Sequence, residues 1–305
     1  MSRLRLAACL ALAIAFTGSA SHAAPPGFAF LEVPAGARAA AMGGAYSAVA
    51  EGAEAAFWNP AGLAGVRGTQ VTATHIESFE GLKHDQFAMA GQLMGGGLSG
   101  SVRTMYSQPI EERDELGNLI GSFGSHDLEF MLGYGRAVGE RLRIGFGAQA
   151  VRERIASEAA TTWSGGAGVT WNPLRLPGVR LALMAQHLGP AANYVIDGQR
   201  GADVSLPAAV QGGVSWDRTL ARGLGAGLAL DTRFTRGRQG IVAMGGELRT
   251  STGASIRMVL RQGDDIANFS MGVGYRFRLT NVDYAWVPSK LDLGDKHRFS
   301  FGAQF

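Results

Sequence analysis

The residues best suited to chemistry are few, and nothing in their spacing assembles them. Cys9 is the single cysteine, so the chain has no disulfide framework and no cysteine-based metal set. It lies in Leu6-Ala7-Ala8-Cys9, which has the form of a lipoprotein box, but the apolar run continues past it instead of ending there. The six histidines are His22, His75, His84, His126, His187 and His297. None stands at a fixed short spacing from a carboxylate, so each of the five beyond His22 reads as a satisfied surface histidine near a strand end. Ser99 and Ser101 could supply a hydroxyl nucleophile, yet a triad needs a histidine oriented by a third group, and no motif ties either serine to one. No G-x-x-x-x-G-K-[ST] phosphate loop and no H-E-x-x-H occurs. Gly133-Tyr134-Gly135 and Gly145-Phe146-Gly147 look like fragments of a dinucleotide loop, but they fall inside strand-like runs with no helix to follow. The pattern predicts no enzyme, no metal site and no cofactor.

Charge gives no interface either. The formal net charge is +3, and the arginines are scattered without a Lys/Arg run beyond short pairs. A nucleic-acid partner would need a basic stripe or a recognised module. Charged residues make up only 17% of the chain while Gly numbers 45 of 305, and the hydrophobic share of 46% excludes disorder. The average hydropathy is too low for a helical membrane bundle. A membrane β-barrel has this mixture, because outward apolar and inward polar residues alternate and cancel.

The chain opens with a leader. Arg3 and Arg5 precede an apolar run from Leu6 to Phe16, and Gly18 to Ala23 are small or polar. Cleavage after Ala23 would put Ser21 and Ala23 at the small-residue positions of a signal peptide, 1–23. Thereafter period-two alternation recurs in runs of about ten residues, the length a tilted strand needs to cross a bilayer. In the run from Ala254, Ile256, Met258 and Leu260 fall on one side, opposite Ser255, Arg257, Val259 and Arg261. In the last run Phe299, Phe301, Ala303 and Phe305 oppose Arg298, Ser300, Gly302 and Gln304. Such runs lie near 69–79, 84–94, 97–106, 126–138, 141–153, 162–171, 179–188, 207–217, 223–234, 239–250, 253–262, 267–278, 279–287 and 297–305. Short turn-like links alternate with the long ones at 107–125, 189–206 and 288–296, as a barrel with both ends on one side requires.

By this alternation Arg103, Asp127, Glu129, Arg141, Arg143, Asp231, Arg233, Arg257, Arg261, Asp283 and Arg298 point inward, as a mutual ion-pair network. Trp163, Trp171, Trp216, Tyr284 and Trp286 suit interfacial girdles, and glycines within strands leave room for close packing against a plug. Phe299, Phe301 and Phe305 have the pattern of an outer-membrane assembly signal. The exception to the strand rhythm is Gly36 to Gly65, which is helix-compatible over Ala39–Met42 and Ala45–Phe57, broken by Gly43-Gly44 and closed by Asn59-Pro60-Ala61-Gly62. The expected fold is therefore all-β, a transmembrane antiparallel β-barrel of about fourteen strands. A short, partly helical N-terminal plug over 24–68 precedes a barrel over 69–305.

Gly36-Ala37-Arg38-Ala39-Ala40-Ala41-Met42-Gly43-Gly44-Ala45-Tyr46, followed by Ala55-Ala56-Phe57-Trp58-Asn59-Pro60-Ala61-Gly62-Leu63, resembles the amino-terminal signature of PorV/PorQ family outer-membrane proteins. Those belong to the broader group of FadL-like barrels, in which an Asn-Pro-Ala segment sits in an N-terminal hatch. Asp283-Tyr284-Ala285-Trp286 and Leu293-Gly294-Asp295-Lys296-His297-Arg298-Phe299-Ser300 resemble the family's other end. The resemblance implies a fourteen-stranded barrel in the Gram-negative outer membrane, in contact with outer-membrane lipid and the barrel assembly machinery. It implies a structural or gating role for Gly36, Arg38, Met42, Gly43, Gly44, Asn59, Pro60, Ala61 and Gly62. It also implies a role in protein secretion, as a type IX-like shuttle or adaptor engaging secreted cargo proteins or secretion-complex subunits. The alternative it carries is FadL-like transport of hydrophobic small molecules, which predicts a continuous apolar channel past the hatch.

Overall fold

The computed structural model describes residues 26–78, 81–196, 199–221, 223–290 and 294–305. The expected leader with Cys9 and His22, and Leu293 of the carboxy-terminal motif, lie outside them. In chain order the strands are β1 (Gln70–Glu77), β2 (Lys83–Leu93), β3 (Gly96–Tyr106), β4 (Ile110–Arg113), β5 (Leu119–Phe123) and β6 (Ser125–Val138). Then come β7 (Leu142–Ile155), β8 (Glu158–Trp171), β9 (Val179–Leu188), β10 (Ala192–Ile196), β11 (Gln199–Val204) and β12 (Ala209–Ala221). The last are β13 (Leu224–Thr235), β14 (Ile241–Thr250), β15 (Ala254–Gln262), β16 (Phe269–Phe277), β17 (Thr280–Val287) and β18 (Lys296–Gln304).

All but β4, β5, β10 and β11 join one closed antiparallel barrel of fourteen strands, each paired with its neighbours along the chain, and β1 closing against β18. The fourteen runs read from alternation are these fourteen strands. Closure removes the sheet edges that would otherwise be left unpaired. The period of two does the sorting: Ile256, Met258 and Leu260 are exposed on the outer face of β15, while Ser255, Arg257 and Val259 are buried inside. On β18, Phe299 and Phe301 face out, and Arg298 and Ser300 face in. Exposed Phe87, Phe130, Leu132, Phe146, Leu183 and Met244 continue the outer apolar surface around the barrel. A continuous apolar girdle of that extent is at home against lipid. Trp163 and Trp171 lie exposed on it.

The two ends differ. One carries tight links, such as the Met94-Gly95 hairpin, whose positive φ values of 47° and 74° match the twist of the strands it joins. This turn end also holds the start of β1 and the end of β18. The other, the loop end, carries the long connections. Two of those connections, expected as plain loops, contain the hairpins β4–β5 and β10–β11. Neither has an alternating apolar face to announce it. The first is pinned locally, where Asp114 Oδ1 accepts from the backbone N–H of Leu116 (2.9 Å) and Asn118 (2.8 Å).

Residues 26–69 run down the lumen from the loop end to the turn end. They form a 3-10 turn at Ala29–Glu32, α-helices at Ala37–Ala41 and Ala55–Trp58, and a 3-10 turn at Pro60–Gly65. The helix expected over Ala45–Phe57 is confined to its last three residues and Trp58. Gly43, Gly44 and Gly52 take φ of 56°, 80° and 71°, and the backbone between them forms separate turns, with Ser47 N–H and Ala48 O bonded to the barrel wall. Met258→Arg, placing a charge in the outer apolar girdle, is expected to lower unfolding stability in lipid vesicles by about 2–4 kcal/mol. Denaturant titration of the wild type and variant checks it.

Candidate functional site

A segment folded inside a barrel has backbone polar groups and little water to satisfy them. Here the wall answers with side chains. Arg103 Nη1 donates to the carbonyls of Phe30 (3.5 Å), Leu31 (3.2 Å) and Val33 (3.4 Å), and Arg298 donates to that of Pro34. Ser270 Oγ reaches Ala40 O at 2.7 Å and Gln211 Nε2 reaches Gly44 O at 2.9 Å. Gln186 Nε2 donates to both Phe57 O (2.9 Å) and Trp58 O (2.8 Å). In the other direction, Gly36 N–H donates to Gln86 Oε1 (3.0 Å), Ala37 N–H to Ser300 Oγ (2.8 Å) and Ser47 N–H to Asp231 Oδ2 (2.9 Å). Many of the inward polar residues therefore hold the plug's backbone as well as one another: Arg103 also meets Glu129 at 2.9 Å, so the mutual network expected from alternation is present and extends onto the plug.

Asn59-Pro60-Ala61-Gly62 is seated differently. Asn59 Oδ1 accepts from Ala61 N–H (3.1 Å), while its Nδ2 donates to Ser47 O (3.0 Å) and Val169 O (3.4 Å). Against it the wall presents glycine at four positions: a Cβ added at Gly97, Gly135, Gly145 or Gly168 would overlap Leu63, Pro60, Pro60 or Asn59 respectively. These glycines lie on four successive strands, β3, β6, β7 and β8, and form a slot in which backbone meets backbone. Two of the glycines that look like loop fragments in the sequence, Gly135 and Gly145, belong to this slot. Gly62 itself could carry no methyl group, because Ala50 O occupies the space.

Ahead of that anchor the plug is held by ions. Arg38, on the Ala37–Ala41 helix, meets Glu247 at 2.8 Å, and Glu247 also meets Arg257 (2.6 Å) and Arg249 (2.7 Å). Arg257 goes on to Asp283 at 2.6 Å. Glu247 is the hub of this chain and was absent from the inward set read from sequence, although β14 carries it in phase with buried Ala243. Arg38 also lies over the Tyr46 ring, 5.7 Å from its centroid, and Tyr46 packs edge-on against Trp58 at 5.5 Å. Tyr46 OH donates to Glu54 Oε2 at 3.3 Å. Burial pushes the half-buried Glu54 carboxyl up to about 7. Gly36 leaves the space that Glu54 fills, Gly43 faces Val259, and Met42 packs over Gly245.

The surface reading of the histidines needs correction. His84 is buried, in phase with Gln86 and Ala88 on β2. His187 is buried too, turned inward by a positive φ of 55° beside a register shift between β8 and β9, and bonded to Gln149 at 2.6 Å. His75, read as lacking a carboxylate, meets Asp85 at 2.7 Å across β1 and β2 on the outer face. Arg141 lies in the β6–β7 turn, and Arg143 meets Glu51 at 3.5 Å. Ser99 Oγ donates to Gly133 O at 3.5 Å. Phe305 closes the barrel through its backbone, exchanging hydrogen bonds with Thr69 at 2.8 and 3.1 Å.

The lumen has three levels. At the loop end Phe28, Phe30 and Leu31 fill an apolar chamber walled by Met105, Val151, Ala160, Tyr194 and Leu206. The plug core of Met42, Tyr46, Phe57, Trp58 and Leu63 closes the middle, so the continuous apolar channel is interrupted in this conformation. At the turn end a polar vestibule of about 1130 Å³ lies below Arg38, Tyr46 and Glu54.

With this geometry the chain is a closed, plugged fourteen-stranded barrel of the FadL-type outer-membrane architecture. Residues 7–157 match the model of an uncharacterised protein family, UPF0164, a span that includes the plug and β1 to β7. No curated protein matches the chain. Among solved structures it is similar to the Ralstonia pickettii toluene transporter TbuX, with 14% identity and a TM-score of 0.62, over 88% of this chain and 98% of that one. It is similar to the CymD monoaromatic hydrocarbon channel at 13% identity and a TM-score of 0.59, over 90% and 98%. A Pseudomonas aeruginosa FadL homologue aligns at 11% identity with a TM-score of 0.51, over 86% and 95%. At these identities the likeness is one of fold.

Two outcomes follow from the seat of the plug. Gly145→Ala is expected to destabilise the protein by about 1–3 kcal/mol and to speed tryptic cleavage at Arg38 or Arg67. Gly91→Ala, where a Cβ meets nothing within 4 Å, changes neither. For Glu54, the unfolded carboxyl ionises near 4.5 and the folded one near about 7. Between those values the folded state keeps a proton that the unfolded state has lost, so stability falls as pH rises through that window. Thermal midpoints at pH 5 and pH 8 are expected to draw closer together in Glu54→Gln.

Proposed function

We propose that the protein carries apolar small molecules across the Gram-negative outer membrane, with its turn end in the periplasm and its plug as the gate. The observation that carries this is the loop-end chamber. The chain's own Phe28, Phe30 and Leu31 occupy it as an apolar ligand would, fully buried among Met105, Val151, Ala160, Tyr194 and Leu206. Their hold is exchangeable: Arg103, itself paired with Glu129 of the wall at 2.9 Å, grips the segment by its carbonyls, and the Glu32–Arg238 pair (2.8 Å) is partly exposed. A ligand entering the chamber competes with this segment. The freed chain leads into the ion-held Ala37–Ala41 helix, whereas Asn59–Gly62 stays fixed in its glycine slot. The solved barrels of toluene and monoaromatic hydrocarbon transporters support the same reading by their fold.

A secretion role of PorV/PorQ type takes second place. It would use the hairpins β4–β5 and β10–β11 at the loop end to engage cargo proteins or secretion-complex subunits. Phe299, Phe301 and Phe305 are assigned to recognition by the barrel assembly machinery in either role.

Phe28→Ala with Phe30→Ala removes most of the apolar surface by which the segment holds the chamber against a ligand. Cells producing the wild type are expected to accumulate labelled toluene faster than cells without the protein. The double variant is expected to take it up several-fold faster than the wild type. Equal uptake with and without the protein would overturn the assignment.

A further inference from the structure

The vestibule at the turn end is charged in a way that its own ion pairs do not balance. Its carboxylates are engaged: Glu51 by Arg180 at 2.8 Å and by Arg143, Asp217 by Arg249, Glu247 by Arg38, Arg249 and Arg257, and Asp283 by Arg257. Glu54 is turned toward the Tyr46 hydroxyl. Three cavity-lining arginines remain, Arg141, Arg276 and Arg278, and among the described residues none of them pairs with a carboxylate. Arg278 only lies over the Phe277 ring, at 5.3 Å. Arg276 continues the inward phase of Gly272 and Gly274 on β16, and Arg278 sits at the rim beside it.

Their placement sets the size of the counterion. Arg141 is in the β6–β7 turn, whereas Arg276 and Arg278 flank the β16–β17 turn, with β3, β2, β1 and β18 between them along the shorter way round. They therefore face one another across the mouth. A single small anion cannot touch both walls, but about six residues of extended peptide span roughly 20 Å. The volume of about 1130 Å³ admits such a segment without displacing the plug.

We infer that the turn-end vestibule is a docking site for an acidic peptide segment of a periplasmic protein, its carboxylates received by Arg141 on one wall and by Arg276 and Arg278 on the other. The inference takes its periplasmic orientation from the transport reading, and binding needs no transport. A docked partner would stand where an apolar solute leaves the plug, a solute that water receives poorly.

The test uses the full-length protein in nanodiscs and fluorescein-labelled hexaglutamate as probe, read by fluorescence anisotropy. Hexaglutamate is expected to bind, hexaglutamine to bind at least tenfold more weakly, and affinity to fall as salt rises from 50 to 300 mM. Arg276→Gln with Arg278→Gln is expected to weaken binding about tenfold, and Arg141→Gln several-fold. Arg136→Gln with Arg218→Gln, exposed arginines at the same end outside the cavity, should leave it unchanged. Equal loss in that control pair would mean diffuse surface charge and overturn the site. Citrate competing as well as hexaglutamate would overturn the peptide class. Toluene uptake, measured separately, tells failure of this site apart from failure of the transport reading.

Discussion

Everything inside this barrel answers to one constraint: the plug carries backbone donors and acceptors into a space where little water can reach them. Four short helical stretches satisfy only a fraction of those groups. The remainder are met by side chains projecting from the inner faces of the strands, with Arg103, Gln186, Gln211, Ser270 and Arg298 serving carbonyls, and Gln86, Asp231 and Ser300 serving N–H groups. An unsatisfied buried group costs about 1–3 kcal/mol, so removing the plug without water to replace it is unfavourable, and so is filling the lumen with apolar side chains alone. The inner wall is polar for that reason as much as for any solute.

The same constraint divides the plug in two. Around Asn59–Gly62 the wall offers glycine backbone, and contact is set by the van der Waals fit of main chain against main chain. Such a fit has no partial state, since a shift of an ångström produces overlap or a void. Around Arg38 contact is set by ion pairs and hydrogen bonds that exchange with water when a path to solvent opens. A segment pinned at one end and held by exchangeable bonds along the rest has the mechanics of a hinged gate. In the proposed transport role, the loop-end chamber occupied by Phe28, Phe30 and Leu31 is where a ligand would meet it.

Polarity changes along the bore. Apolar at the loop end, closed in the middle and ionic at the turn end, the lumen is asymmetric in a way that suits uptake of an apolar solute from outside and its transfer to a polar compartment. The ion network beneath the plug makes the vestibule polar. An apolar molecule leaving the plug therefore enters water unless something receives it.

How much of this was legible in the residues follows from the length scale of each determinant. A strand of a lipid-facing barrel writes its two faces into alternate positions, so Ile256 against Arg257, or Phe301 against Ser300, fixes strand, face and number of strands from the chain alone. Asn59-Pro60-Ala61-Gly62 declares a tight turn by local chemistry. What binds it is four glycines on four strands, distant in sequence, and each reads alone only as a weakened strand. Glu247 carries its phase in the alternation, but its role as hub depends on Arg38, Arg249 and Arg257 arriving from three separate elements. His187 faces inward because a register shift breaks the alternation, and no periodicity could foretell it. The hairpins β4–β5 and β10–β11 bury no regular face and so leave no periodic trace. Alternation is local, and the sequence alone determined the barrel by it. Which side chain meets which plug atom, where the lumen stays open and which charges are left unpaired depend on curvature closing distant strands around the chain's own beginning, and only the tertiary structure decided them.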